Sequence, residues 1–226
     1  MKDFLYAIGL KRLKNWTRSG LLEETKKILL ELQKGDKILS IGGYGATDLA
    51  LEGLCSELGL TLTKLDVDKN HKPDILADIS DIDFSFDSKF NAVVALEVLE
   101  HIHFYDLAIS NINRILFQNG YIILSTPWII PVHDKPLDFY RFTHFELYRS
   151  LHDRFDVNIG FRGNYLDSIL VLALRGLISG GFTGKCVFVL AYCLSIFRKP
   201  PSINFKKLAD FPDSTIGYFV SGKKKN

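Results

Sequence analysis

Lys37-Ile-Leu-Ser-Ile-Gly-Gly-Tyr-Gly45 is a short apolar run that leads directly into a cluster of glycines. A second apolar run, residues 62–66, ends in an acid, and a short third run, residues 75–78, also ends in an acid. The order of strand, glycine turn, helix, strand and carboxylate is the βαβ arrangement of sheets that bind a nucleoside. This stretch therefore predicts an α/β fold with a ligand-binding edge.

The glycines and acids of this stretch indicate how a nucleoside would be held. Gly42, Gly43 and Gly45 let the backbone approach a ligand that a Cβ atom would push away. A carboxylate at the tip of the second strand can accept hydrogen bonds from both ribose hydroxyls. Asp66 and Asp68 both follow that strand, and Asp66 is the stronger candidate because it ends the apolar run.

Strands and helices alternate through the rest of the chain. The further predicted strands are residues 91–96, 121–126, 155–160 and 216–220, and the predicted helices are residues 21–32, 49–58 and 107–116. Thr143-His-Phe-Glu146 predicts a capping box at the start of one more helix. This alternation is typical of a mostly parallel sheet with helices on both faces, which binds ligands beyond the carboxyl ends of its strands.

Composition and charge narrow the class of protein. The chain has 226 residues, 47% of them hydrophobic, which is enough for one domain with a full core. A net charge of +2 argues against a dedicated nucleic-acid binder, which usually carries a basic surface. No Cys/His cluster has the spacing of zinc ligands, so we expect reduced cysteines and no metal. The N-terminus lacks the pattern of a secretory signal, and we expect a cytoplasmic protein.

Residues 165–197 differ in composition from the rest of the chain. Their only charged residues are Asp167, Arg175 and Lys185, and residues 186–197 are apolar around the whole helix. Such a helix must be covered by protein or lie against lipid, and it is too short to span a membrane. Two interpretations are open, a peripheral contact with an anionic membrane and a protein interface such as a helical cap or a homodimer. The flanking basic residues are Lys185, Arg198, Lys199, Lys206 and Lys207.

Three stretches resemble the motifs of one enzyme family. They are residues 38–45 with the glycine turn, residues 90–101 (Phe-Asn-Ala-Val-Val-Ala-Leu-Glu-Val-Leu-Glu-His), and residues 114–127 (Arg-Ile-Leu-Phe-Gln-Asn-Gly-Tyr-Ile-Ile-Leu-Ser-Thr-Pro). Together they resemble the class I S-adenosylmethionine-dependent methyltransferases. Residues 133–143 are similar to a feature of the subgroup found with cell-surface polysaccharide synthesis. The resemblance implies a Rossmann-like, mostly parallel seven-stranded sheet with helices on both faces, an antiparallel last strand, and an apolar helical insertion before that strand.

The resemblance also implies S-adenosylmethionine as the cofactor and a role for each matching residue. The glycines would bend under its methionine part, Asp66 would hold the ribose, and Glu97 would border the sulfonium and the acceptor, unless Glu97 only caps the next helix. Ser40 stands where the family usually has an acid. The residues implied to contact the cofactor are Gly42, Gly43, Gly45, Asp66, Asp78, Ile79 and Glu97, with Asp78 and the backbone of Ile79 at the adenine.

Methyl transfer of this kind depends mainly on aligning the acceptor, the methyl carbon and the sulfur. A hydroxyl acceptor gains further from a general base, and His101 and His133 are the candidates. His101 could equally be a pocket wall or a structural residue. The loop that carries His133, Asp138 and Arg141 is expected to bind the acceptor, unless Arg141 only pairs with Asp138 and braces the loop. The expected acceptor is a small molecule or a sugar or lipid-linked glycan.

The predicted organisation is a single methyltransferase domain over residues 1–226. Its parts are an N-terminal helical region (1–34), a cofactor-binding core (35–160), the apolar insertion (161–210), and the last strand with a basic tail (211–226).

Two other functions are open at this point. A nicotinamide-dependent oxidoreductase fits the Gly43-Tyr-Gly45 spacing, but Asp48 stands where that fingerprint needs glycine or alanine and would face the pyrophosphate unfavourably. A non-catalytic, membrane-docked scaffold would combine an occluded pocket with exposed apolar helices.

Overall fold

The computed structural model describes residues 11, 13, 15–81, 84, 89–179 and 181–225. Residues 1–10 of the predicted N-terminal region lie outside this part of the chain. The strands are β1 Lys37–Ile41, β2 Thr61–Asp66, β3 Ile75–Leu76, β4 Phe90–Leu96, β5 Leu116–Pro127, β6 Phe155–Arg162, β7 Ile203–Phe205 and β8 Gly217–Lys224. They form one sheet in the order β3-β2-β1-β4-β5-β8-β6-β7.

Six helices connect these strands within the described residues. They are α1 Leu21–Leu29, α2 Ala46–Leu58, α3 Tyr105–Ile115, α4 His144–Leu151, α5 Tyr165–Ser179 and α6 Gly181–Ile196. The Thr143 side chain accepts a hydrogen bond from the backbone N of Glu146, so the predicted N-cap of α4 is present. Gly59 ends α2 in the left-handed region, with φ 68°.

The strand directions confirm the predicted fold class. Strands β1 to β5 are parallel, whereas β8 runs antiparallel to both β5 and β6. The sheet has one strand more than predicted, because β7 pairs with β6 at the edge. Strand β7 has only three residues, too few for an alternating pattern to identify it from the sequence.

The two faces of the sheet carry separate cores. Leu39 and Ile41 of β1 pack into a cluster with residues of α3 and α4, whereas Ile38 packs into a second cluster with residues of α1 and α2. Neighbouring residues of one strand point to opposite faces, which explains why β1 and β4 carry buried apolar residues on both faces. The carboxyl ends of β1 and β4 therefore meet at the switch point of the sheet, where ligands of such folds bind.

The apolar insertion packs on the N-terminal segment. Trp16 shares a buried cluster with Leu174 of α5 and Phe188 of α6. The outer side of the insertion remains exposed, since Phe182 and Phe197 at the two ends of α6 are 84% and 88% exposed. The described part of the chain thus leaves this face uncovered. None of its helices is long and apolar enough to cross a membrane.

Candidate active site

A cleft opens to solvent beyond the carboxyl ends of β1 and β4. The glycine turn and Glu97 both line it. Its polar lining includes Arg18, Ser40, Thr47, Asp48 and Glu97. Among the residues predicted to hold the cofactor, Gly42, Gly43 and Glu97 line the cleft, and Gly45, Asp66, Asp78 and Ile79 do not.

The glycine turn requires glycine for two different reasons. Gly42 and Gly45 have φ values of 63° and 81°, a region that residues with a side chain rarely adopt. Gly43 has an ordinary φ but no room, because an added Cβ would lie 2.2 Å from Oδ1 of Asp48. The turn is tied to the next strand by a 2.9 Å hydrogen bond from the backbone N of Gly42 to the carbonyl of Leu65.

An acidic side chain lies beside Ser40 in the structure, although Ser40 itself is not an acid. This side chain is Asp48, in the first turn of α2. Oγ of Ser40 donates a 3.3 Å hydrogen bond to Oδ1 of Asp48, whose side chain is buried beside Gly43. Burial raises the pKa of Asp48, opposed by the positive charge of Lys64 at 3.8 Å and by the Ser40 hydroxyl. The family resemblance places the helix start at Thr47-Asp48 close to the methionine part of the cofactor, but it does not predict the contact of Asp48 with Ser40. Its reach back to Ser40 follows from the tight turn between β1 and α2.

Asp66 lies at the end of β2, but protein groups already contact its carboxylate. Oδ1 accepts a 2.9 Å hydrogen bond from the backbone N of Asp68, and Oδ2 lies 2.9 Å from Nδ1 of His71. The ring of Tyr44 stacks on His71 at 4.0 Å, which extends the glycine turn over this side chain. His71 was not predicted to contact Asp66, although it follows Asp66 by only five residues along a short loop.

Asp78 and Ile79 form a turn after β3. Oδ1 of Asp78 accepts hydrogen bonds from the backbone N and the hydroxyl of Ser80, at 2.8 and 2.7 Å. Ile79 is buried in the core, and its carbonyl accepts a hydrogen bond from the side chain of Asn111. Contacts with an adenine at this turn remain a prediction.

Glu97 braces the sheet rather than capping a helix. It has a left-handed φ of 59°, and the short helical turn that follows has no side-chain cap. Oε1 accepts hydrogen bonds from the Ser125 hydroxyl at 2.8 Å and from Arg162 at 2.7 Å. Arg162 is fully buried and also donates to the carbonyls of Thr126 and Thr17. This ion pair neutralises a carboxylate that borders the cleft.

The predicted catalytic histidines lie next to each other, outside the lining of the cleft. His101 follows β4 and His133 lies in the loop after β5, and their ring centroids are 4.9 Å apart. Burial lowers the pKa of His133, and the attraction of Asp138 opposes this shift. The sequence analysis treated the two histidines as alternatives and did not predict that they would meet.

In the loop after β5, Arg141 pairs with Asp138 and braces the loop, which is the alternative to acceptor binding given above. Arg141 donates two hydrogen bonds to Asp138, at 2.6 and 2.7 Å. Although burial alone would raise the pKa of Asp138, this guanidinium and the backbone N of His133 bring it well below its usual value. Burial and the nearby charge of Arg141 lower the pKa of Arg175 on α5, so the insertion contributes a cation to this region.

Sequence reasoning also missed Glu100, which lies beside these histidines. Its side chain is fully buried, and neither carboxyl oxygen has a hydrogen-bond partner among the described residues. Burial, followed by the repulsion of Glu97, raises the pKa of Glu100 well above its usual value. Glu100 was quoted only as part of a motif, since one acid in an apolar turn has no distinguishing sequence signal.

Comparisons with known proteins agree with this architecture. A family model described as a methyltransferase domain matches residues 13–161, more than half of the chain. No curated protein matches at the sequence level. Among solved structures, phosphoethanolamine N-methyltransferase 2 of Haemonchus contortus, in complex with phosphomonomethylethanolamine and S-adenosylhomocysteine, is similar with a TM-score of 0.55 and 14% identity. The alignment covers 95% of this chain but only 56% of that protein.

Two further solved structures share the fold. The plantazolicin methyltransferase BpumL in complex with SAH has a TM-score of 0.53 and 13% identity, with 100% of this chain and 89% of that one covered. The [4+2]-cyclase SpnF has a TM-score of 0.55 and 15% identity, with 92% and 84% covered. These identities establish a common fold, and the cyclase shows that the fold also carries other chemistry.

Proposed function

The chain belongs to the methyltransferase-domain family, and on that premise we propose that it transfers a methyl group from S-adenosylmethionine to a small-molecule or glycan acceptor. One observation carries the proposal: the cleft lies at the switch point of the sheet and is lined by a glycine turn with the buried acid Asp48 beside it. Its position and this carboxylate suit a nucleoside cofactor with a positively charged group.

Asp48 and Asp66 are the residues we propose to hold the two ends of the cofactor. The buried carboxylate of Asp48, beside Gly43, attracts the ammonium group of the methionine part. Asp66 has one protein partner on each oxygen, and each carboxylate oxygen can accept a second hydrogen bond, so both ribose hydroxyls can still be bound. The bound cofactor supplies an already activated methyl group, so the protein's task is mainly to orient the acceptor.

We propose that the acceptor binds along His101, His133 and the loop after β5. Holding the acceptor in line can lower the barrier by about 7–11 kcal/mol in favourable cases. Removal of a hydroxyl proton in the same cluster adds about 100-fold or more. The resemblance of residues 133–143 to the polysaccharide-associated subgroup favours a sugar or lipid-linked glycan. Arg175 nearby suits an acceptor that carries a phosphate or carboxylate.

Calorimetry with S-adenosylhomocysteine tests the cofactor site. We expect Asp66→Ala to bind it about 10-fold more weakly, because a hydrogen bond to a charged group contributes about 1.5–3 kcal/mol and the native carboxylate is partly occupied. Asp68→Ala tests the other acid that follows β2 and should bind within about 2-fold of the native chain, since its carboxylate caps a short turn and lies 3.7 Å from Nε2 of His71.

Three outcomes would count against this assignment. Equal affinity of Asp66→Ala and the native chain would remove the ribose role. Binding of NAD without binding of S-adenosylhomocysteine would favour the oxidoreductase, although the buried Asp48 beside the glycine turn would repel a pyrophosphate. A folded chain that binds neither nucleotide would support the non-catalytic scaffold.

We further propose that the exposed face of α6 contacts an anionic membrane. Large apolar side chains of α6 are exposed, and basic residues lie within and just after this helix in the sequence, a combination that suits acidic lipid headgroups. The chain should therefore float with vesicles that contain phosphatidylserine, and Phe182→Ser/Phe197→Ser should abolish flotation. Phe104→Ser, at another exposed aromatic, is the control. Flotation that fails with every lipid, together with a concentration-dependent dimer that the double variant abolishes, would favour a homodimer interface instead.

A further inference from the structure

Three potential metal ligands from two separate segments lie close together in the structure: Glu100, His101 and His133. One ligand atom from each of the three lies within 4.8 Å of the others. Nε2 of His101 is 3.7 Å from Oε1 of Glu100. Two of these side chains follow β4 and the third follows β5, so the parallel pairing of these strands creates the cluster.

The isolation of Glu100 is the observation that points to a ligand. A fully buried carboxyl group without a hydrogen-bond partner is costly, and native proteins rarely contain one without a reason. The nearest guanidinium groups are already engaged, that of Arg141 by Asp138 and that of Arg162 by Glu97. A cation bound between Glu100 and the histidines would supply the missing partner.

The two imidazole rings are oriented for coordination through Nε2. Nδ1 of His101 is 2.7 Å from the carbonyl of Leu137, so it carries the proton of the neutral ring. Histidine ligands of metals usually donate their other ring nitrogen in this way. Nδ1 of His133 makes no hydrogen bond among the described residues, but it lies 3.1 Å from Oδ2 of Asp138, where a small rotation of the ring would pair the two.

Asp134 adds a fourth oxygen on the solvent side of the pair. Its Oδ2 is 4.0 Å from Nε2 of His101 and 3.8 Å from Nε2 of His133. Ligand atoms around a tetrahedral Zn²⁺ lie about 3.3 Å apart, given bond lengths of about 2.0–2.1 Å. The observed separations are larger, from 3.7 Å to as much as 4.8 Å, so the side chains must rotate inward to bind an ion. Asp134 has room to do so because it is exposed on the loop after β5.

We propose that Glu100, His101 and His133 bind a divalent transition-metal ion, with Asp134 or a substrate atom in the remaining position. Two imidazoles and a carboxylate are a ligand set that Zn²⁺, Mn²⁺, Fe²⁺ and Co²⁺ accept, whereas Mg²⁺ and Ca²⁺ prefer oxygen ligands alone. The site lies where we place the acceptor, which suggests a role in binding a hydroxyl group.

The metal site does not depend on the proposed methyl transfer, but its role in catalysis does. Coordination through Nε2 would prevent His101 and His133 from acting as general bases. A hydroxyl oxygen bound to the metal would instead lose its proton more readily, because the ion stabilises the resulting alkoxide, and its proton would pass to solvent. The alkoxide would then be the nucleophile for the methyl group.

Metal binding by the full chain, treated with a chelator and dialysed, tests the proposal. We expect calorimetry to give one Zn²⁺ per chain, and Co²⁺ to give visible absorption bands of a site with nitrogen and oxygen ligands. Glu100→Gln and His133→Ala should each weaken Zn²⁺ binding about 100-fold, since even the partner of a ligand changes affinity by about 10–100-fold. His152→Ala, at a histidine on the surface beyond α4, should leave binding unchanged.

The outcomes separate this proposal from the proposed function. The metal site would be overturned if the native chain and both folded ligand variants bound Zn²⁺ with equal affinity. It would also be overturned if His152→Ala alone abolished binding. If either variant failed to fold, the native chain alone would decide, because absence of Co²⁺ bands also overturns it. S-adenosylhomocysteine affinity, measured on the same samples, reports on the methyltransferase assignment independently.

Discussion

Replacing Arg162 with methionine is expected to lower the free energy of unfolding by about 3 kcal/mol. Arg162 is fully buried and donates hydrogen bonds to Glu97 and to the carbonyls of Thr126 and Thr17. Removing one member of a buried ion pair costs about 3–5 kcal/mol, because the other charge is left without compensation. The lower end applies here, since the Glu97 side chain is 12% exposed and retains some hydration. Urea denaturation followed by circular dichroism measures the change.

Two further variants make this test specific. Arg114→Met, at an exposed arginine of α3, should change the free energy of unfolding by less than about 0.5 kcal/mol. Replacing Glu97 as well, in Arg162→Met/Glu97→Met, should recover part of the loss because no unpaired charge remains. A single variant at Arg162 that is no less stable than Arg114→Met would show that the buried pair contributes nothing.

The strands around the cleft could be predicted because their signal is local. Residues 91–96 were predicted as a strand and form β4, Phe90–Leu96, since both of its faces are buried and its apolar run is continuous. Strand β5 begins earlier than predicted, at Leu116 rather than Tyr121, because residues 117–119 are exposed and interrupt the apolar run. The pattern therefore locates the buried part of a strand and misses its exposed end.

The contacts that define the site could not be predicted, because they join distant segments. Glu97 and Arg162 are 65 residues apart, and nothing near Arg162 in the sequence distinguishes it from an exposed arginine. The meeting of His101 with His133 depends on the pairing of β4 with β5. Asp48 is the exception, since the short turn after Ser40 brings it back to the strand. The sequence therefore predicts which edge of the sheet carries the site, whereas the side-chain contacts within the site become visible only in the folded structure.

Replacing Gly43 with alanine is expected to weaken S-adenosylhomocysteine binding about 100-fold and to lower the free energy of unfolding by about 1–3 kcal/mol. The new Cβ would lie 2.2 Å from Oδ1 of Asp48 and 2.8 Å from Oγ of Ser40. Either the Asp48 carboxylate or the glycine turn must move to make room, and both changes reshape the cleft. Overpacking of this kind lowers the stability of the fold by about 1–3 kcal/mol. Loss of the contact between Asp48 and the cofactor ammonium removes a hydrogen bond between charged groups, about 1.5–3 kcal/mol, and about 2.7 kcal/mol corresponds to a 100-fold loss of affinity.

Gly53→Ala is the matched control for this prediction. Gly53 lies within α2, where an added Cβ meets no atom within 4 Å, so alanine should leave nucleotide affinity unchanged and stabilise the helix by up to about 1 kcal/mol. Calorimetry and thermal unfolding of both variants separate a change in the cleft from a change in the helix. Native affinity in Gly43→Ala would mean that the cofactor does not bind against this turn. It would then have to lie nearer Asp66 and His71, on the far side of Tyr44.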